Sequence, residues 1–162
     1  MEREIIGASA IALVAIVAGL VYLSNRSVRK AQESALPEPA RPAGLQDGIA
    51  AYYVSTVFAE APLKRVWAWG LGGRGKAIVS VGQSGVSIER QGELGLFIPR
   101  EVLTGVARAS ATIDKGVEKD GLVALLWTLG EEELATHLRI VSRSQRQEFE
   151  TAIFEHFGVE IG

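Results

Sequence analysis

The chain has no cysteine among its 162 residues. That excludes disulfides, a thiolate nucleophile and every zinc motif built on cysteine pairs. Histidine is scarce, with His137 and His156 alone, and a metal or catalytic pair would need further ligands that their spacing does not offer. Positive charge is not in surplus: 17 Lys and Arg stand against 19 Asp and Glu, and residues 49–162 carry 12 against 14. Nucleic-acid binding needs an electropositive footprint, so that partner class is set aside. No internal repeat is visible. What the chain does have is one long run without charge.

Ile5 to Leu23 reads IIGASAIALVAIVAGLVYL, 19 positions free of charge, Asn, Gln and Pro. As a helix it would be about 28 Å long, close to the ~30 Å hydrocarbon core of a bilayer. A secretory signal differs: it has a basic n-region, a shorter apolar core and a small-x-small cleavage site. Here Met1-Glu2-Arg3-Glu4 has no basic excess, and the run ends in Tyr22-Leu23-Ser24-Asn25-Arg26 with no such site. A buried core helix fits poorly with a segment that is apolar all round and followed by a linker. Residues 1–24 are therefore read as a membrane anchor whose partner is the lipid bilayer. Gly7, Ser9, Ala10, Ala15 and Gly19 would allow close helix pairing, but such residues are common in membrane helices. One basic residue, Arg3, precedes the run, whereas Arg26, Arg29 and Lys30 follow it. The positive-inside rule places this basic flank in the cytoplasm and the N-terminus outside, a single-pass protein of the cell membrane.

Residues 25–48 change composition and hold three of the five prolines, Pro37, Pro39 and Pro42. Lys30 to Asp47 reads as a semi-rigid spacer reaching roughly 50 Å when extended. Arg26, Arg29 and Lys30 could also meet anionic headgroups, though three charges are fewer than the usual polybasic cluster. Residues 49–162 are long enough for one domain with its own core.

That domain reads as short strands followed by one helix. Ala51 to Phe58 is aromatic and β-branched, and Val66 to Leu71 puts Trp67 and Trp69 on one face of a second strand. Lys76 to Val81 and Val86 to Glu89 alternate around Gly82-Gln83-Ser84-Gly85, a hairpin. Leu94 to Ile98, Val106 to Ile113, Leu122 to Leu129 and Leu134 to Val141 complete the set, with Ala107, Ala109 and Ala111 sharing a face. Then Phe149, Ala152, Ile153, Phe154 and Phe157 recur at helical spacing behind Ser142 and Ser144 as N-caps, with Gly158 as the C-cap glycine. The order predicts an α+β fold, a barrel or sandwich of about seven antiparallel strands capped by one helix.

This layout resembles pleckstrin-homology-like (PH-like) domains. More narrowly the chain is similar to small actinobacterial-type membrane proteins with one N-terminal helix and a cytoplasmic PH-like domain. The likeness is carried by Tyr52-Tyr53-Val54-Ser55-Thr56, Gly70-Leu71-Gly72-Gly73-Arg74-Gly75, Gly85-Val86, Leu96-Phe97-Ile98-Pro99 and the strand Leu122 to Trp127. It implies a fold and a topology over nearly the whole chain, and no catalytic residue.

Two motifs imitate chemistry. Gly70 to Ala77, GLGGRGKA, contains G-x-G-x-x-G and a near Walker A. Both motifs work by handing a phosphate to a helix N-terminus. Here an alternating strand follows, and Ala77 replaces the magnesium-binding hydroxyl, so a glycine-rich bend without nucleotide is expected. Glu131 to Glu133 reads as a solvated turn, His137 as a residue on the polar side of its strand, and the three tryptophans as core. A PH-type lipid or partner rim would draw on Lys64, Arg65, Arg74 and Lys76. No cofactor, metal or catalytic set is expected. The reading is a non-enzymatic interaction or scaffold module held at the membrane by its anchor and meeting an unknown membrane or cytoplasmic protein. The alternative is an accessory subunit of a membrane transport or export complex.

Overall fold

The computed structural model describes residues 2–44, 47–108 and 122–159. It begins with α1, Glu2–Ala35, a single helix of 34 residues. This helix is long and apolar enough to cross a membrane, and its apolar stretch is not buried against the rest of the protein. α1 does not stop at the end of the apolar run. Residues 24–35 are mostly good helix formers with no proline, and Arg29 pairs with Glu33 one turn on at 2.8 Å. Leu36 ends the helix because it precedes Pro37, which disfavours helical geometry in the residue before it.

The segment beyond Leu36 is packed onto the domain, which corrects the reading of Lys30 to Asp47 as an extended spacer. Leu36 is 4% exposed and Pro39 is buried. The Ala40 carbonyl accepts from the Phe97 amide at 2.9 Å, and Arg41 Nη1 donates to the Gly95 carbonyl at 3.0 Å. Pro42 lies so close to Gly95 that a Cβ there would meet its ring at 2.8 Å. Proline composition foretold an extended chain, and tertiary contacts turned it into a strap.

The strands are β1 (Ile49–Phe58), β2 (Ala61–Arg65), β3 (Gly75–Gly82), β4 (Gly85–Arg90), β5 (Leu96–Pro99), β6 (Leu103–Arg108), β7 (Leu122–Leu129) and β8 (Glu132–Arg139). They form one antiparallel sheet in the order β5-β4-β3-β1-β8-β7-β6, with β2 paired to the far half of β1. The predicted strand Val66 to Leu71 is instead a 3-10 turn, Ala68–Gly70, in which Trp69 has φ 55°. Its tryptophans therefore separate, Trp67 standing 43% exposed while Trp69 packs on the core. The expected strand Val106 to Ile113 begins earlier, at Leu103, and its part from Ala109 to Ile113, with Ala111, lies outside the described residues.

After β8 comes α2, Arg143–Phe157. Ser142 caps it by accepting from the Gln145 amide, and Gly158 closes it at φ 67° with its N–H on the Phe154 carbonyl at 2.8 Å. Phe149 and Ile153 are fully buried with Tyr53, Val79, Ile88, Leu125, Trp127 and Leu138. The α+β fold, an antiparallel sheet with a capping C-terminal helix, is thus as the sequence pattern predicted.

One polar chain crosses this core. Trp127 Nε1 donates to Thr136 Oγ1 at 2.9 Å, and Thr136 and Thr56 hydroxyls meet at 2.8 Å. Thr56 and the Tyr53 phenol meet at 2.5 Å, and the phenol reaches the Leu71 carbonyl at 2.8 Å. Each hydroxyl has one proton, and the chain ends on a carbonyl, so all four protons run one way, from Trp127 to Leu71. Burial pushes the Tyr53 phenol up to about 12, against a smaller opposing pull from the Arg90 guanidinium.

Two outcomes follow for urea melts of the full chain in detergent, read by tryptophan fluorescence. Phe149→Ala should cost about 3–5 kcal/mol and Ile153→Ala about 2–5 kcal/mol, whereas Phe154→Ala, 54% exposed, should cost less than about 1 kcal/mol. Equal small losses would show that α2 is not part of the core. The phenol ionises more readily unfolded than folded, so its contribution is intact below pH 10 and falls away as pH rises from about 10 towards 12. We expect a loss on the order of 2–3 kcal/mol across that window, absent in Tyr53→Phe; an identical loss in both proteins would show the phenol is not its source.

Candidate functional site

Two concavities among the described residues bear on function. One is a cleft of about 470 Å³ between α1 and the 3-10 turn. The other is a groove of about 750 Å³ over the outer side of β1 and β3, bounded by Arg139 and the start of α2.

The cleft exists because α1 grips the turn. Gln32 Oε1 accepts from the Trp67 amide at 2.6 Å and the Ala68 amide at 3.2 Å, while its Nε2 donates to the Arg65 carbonyl at 3.2 Å. Glu33 Oε1 accepts from the Trp69 amide at 3.3 Å, and the Trp69 indole donates to the Leu36 carbonyl at 3.2 Å. Trp69 is the one non-glycine residue with positive φ among those described. That conformation costs a bulky side chain roughly 1–3 kcal/mol and persists only where its surroundings over-determine it. Here the surroundings are two side chains of the anchor helix. The hydrogen bond from Arg29 holds the Glu33 carboxyl below its usual range, helped by the Trp69 amide and opposed by partial desolvation.

The opposite wall rests on glycine. A Cβ at Gly72 would meet the Trp67 ring at 2.4 Å, and one at Gly73 would meet Glu93 Oε1 at 3.0 Å. So the glycine-rich stretch serves close approach, and it runs into β3 with no helix N-terminus to take a phosphate. Arg90, only 7% exposed, ties this wall to β4. Its guanidinium donates to the Gly70 carbonyl at 2.9 Å and to the Leu94 carbonyl at 2.8 Å, and lies 4.5 Å from the centre of the Tyr53 ring.

The sequence-derived residues divide between the two concavities. Arg26, Arg29 and Lys30 all line the cleft. Arg65 stands at its edge, its guanidinium 5.5 Å from the Trp67 ring, and Lys64 lies outside it, 4.8 Å from the Phe58 ring. Arg74 is exposed and engaged. Lys76 faces the groove, with Glu89 and Arg139. The four basic residues Lys64, Arg65, Arg74 and Lys76 therefore do not converge on one site.

His137 corrects its reading as a residue on the polar side of β8. It is 6% exposed, and desolvation lowers its pKa. Glu131, Glu132 and Glu133 are exposed, and no group of metal-binding side chains occurs among the described residues. Sequence reasoning missed Gln32, Glu33 and Arg90. Only the i,i+4 spacing of Arg29 and Glu33 was a signal, and it announces a helix rather than a clamp.

A family model described as Bacterial PH domain-like matches residues 31–153. The match begins one residue before Gln32, so the family unit includes the clamp as well as the sheet. A search of curated proteins returns no match.

Gln32→Ala in the full chain should raise hydrogen exchange at the Trp67, Ala68 and Trp69 amides at least tenfold, as expected for loss of about 1–3 kcal/mol of hydrogen bonding. Amides of β7 and β8 should be unchanged. Unaltered exchange at the turn would show that the clamp is not what holds it.

Proposed function

Because the chain belongs to the bacterial PH-domain-like family, we propose that it is a single-pass membrane protein presenting that domain at the cytoplasmic face as a non-enzymatic interaction module. One observation carries the reading: α1 runs unbroken from a bilayer-length apolar stretch into the clamp on the domain. A flexible tether would only concentrate a domain near the membrane. A continuous helix fixes its height and orientation as well, and that matters when the domain must meet a partner that is itself held in or at the membrane.

The surface offered is the groove over β1 and β3. Tyr52, Ile78 and Val141 stand 39%, 37% and 74% exposed there, with Lys76, Glu89 and Arg139 around them. Apolar side chains with a charged rim suit a protein segment better than a small polar ligand. Arg26, Arg29 and Lys30 against the lone Arg3 support a cytoplasmic domain and an external N-terminus.

Two measurements test this. Ser144→Cys, on the exposed start of α2 of a cysteine-free chain, should be protected from a membrane-impermeant maleimide in intact cells; prompt labelling overturns the orientation. A photo-crosslinker at Ile78 should yield a discrete protein adduct that one at Phe154 does not. Adducts formed only from positions inside the apolar run would favour an accessory subunit whose helix packs against other membrane helices.

A further inference from the structure

The cleft between α1 and the 3-10 turn has a place as well as a shape. Tyr22, Arg26, Arg29, Lys30 and Glu33 lie on one face of α1 and form its helical wall. At about 1.5 Å per residue, Tyr22 to Glu33 spans roughly 16 Å along the axis. If the hydrocarbon core ends near Leu23, then Arg26 stands about 5 Å beyond it and Arg29 about 9 Å beyond it. The headgroup layer of one leaflet is roughly 5–8 Å thick. The cleft therefore opens at the depth of lipid phosphates, with Trp67 forming its other side.

Its charges differ between its two walls. Arg29 is committed to Glu33, but Arg26 forms no ion pair among the described residues. Glu93 belongs to the opposite wall, exposed beside Gly70 and Gly73. Cations on the helical wall and an exposed carboxylate, Glu93, on the facing wall match a phosphodiester that carries a hydrogen-bond donor beyond its phosphate. A choline headgroup has no such donor.

We propose that this cleft binds one membrane phospholipid, its phosphate at Arg26 with Lys30 and its terminal ammonium or hydroxyl at Glu93. The proposal rests on the membrane-anchored reading above. The lipid would then be a wedge between anchor and domain, so the composition of the leaflet would bear on how firmly the domain is held.

The test uses the full chain in nanodiscs of phosphatidylcholine alone, or phosphatidylcholine with phosphatidylethanolamine or phosphatidylglycerol, followed by native mass spectrometry. We expect one retained ethanolamine or glycerol lipid at about tenfold or more over choline lipid. Arg26→Gln should lower retention about tenfold, the scale of one charge-assisted hydrogen bond. Glu93→Gln should abolish the preference over choline lipid and leave a retained lipid in place. Glu148→Gln, exposed on α2, should change neither, and thermal melts of each variant report whether it is folded. Equal retention of choline lipid, or retention indifferent to both variants, overturns the proposal. Displacement by soluble glycerophosphoethanolamine at equal amounts would reassign the site to a soluble phosphodiester and overturn the lipid assignment. Failure of the chain to enter nanodiscs would sink the membrane reading instead.

Discussion

A single glutamine side chain does what a whole interface usually does. Gln32 has two acceptor lone pairs and two donor hydrogens at the end of three rotatable bonds, and it spends three of those capacities on the backbone of one turn. The turn cannot satisfy those amides itself, because Trp67 and Ala68 stand at its N-terminal end, where no earlier carbonyl of the turn can accept from them. Helix and turn thus complete each other: one supplies acceptors, the other donors that have nowhere else to go. Around that exchange are arranged the strap after Leu36 and the cleft beside Arg26.

The domain's interior obeys the same rule. The antiparallel register of β1 and β8 sets Thr56 directly beside Thr136, and two buried hydroxyls must then find partners. Trp127 at one end and the Leu71 carbonyl at the other convert a liability into a one-way relay of hydrogen bonds. Leu71 sits directly after the clamped turn. The core network and the anchor clamp therefore meet on the same few residues, and displacement of α1 would be felt at Tyr53. Arg90 reinforces the join from β4, its charge compensated by carbonyls and an aromatic face rather than by a carboxylate.

The two concavities differ in their chemistry. The cleft beside the clamp is lined by basic side chains and a tryptophan. The groove side, over the outer face of β1 and β3, is left apolar and open with charge at its rim. PH-like domains are generally binding modules rather than catalysts, and neither concavity gathers an acid, a base and a nucleophile. The glycine-rich stretch that imitates a phosphate loop is explained by contact, since Trp67 and Glu93 occupy the space a Cβ would need.

The linear sequence was enough for everything that depends on periodicity or local chemistry. Nineteen uncharged positions announce a helix long and apolar enough to cross a membrane, whatever surrounds them, alternation marks the β3–β4 hairpin, and the spacing of Phe149, Ile153 and Phe157 between Ser142 and Gly158 marks α2 with both caps. What it could not decide were features whose cause lies far along the chain. Val66 to Leu71 has the composition of a strand, and it becomes a kinked turn only because Gln32 and Glu33, some 35 residues earlier, accept its amides. Residues 36–43 have the composition of a free linker and become a strap only because Phe97 and Gly95 supply partners to Ala40 and Arg41. His137 sits in an alternating strand, and it lies between Ser55 of β1 and Ala124 of β7, buried like both of them. Local propensity reads out from neighbours in sequence; the satisfaction of backbone donors is settled by neighbours in space.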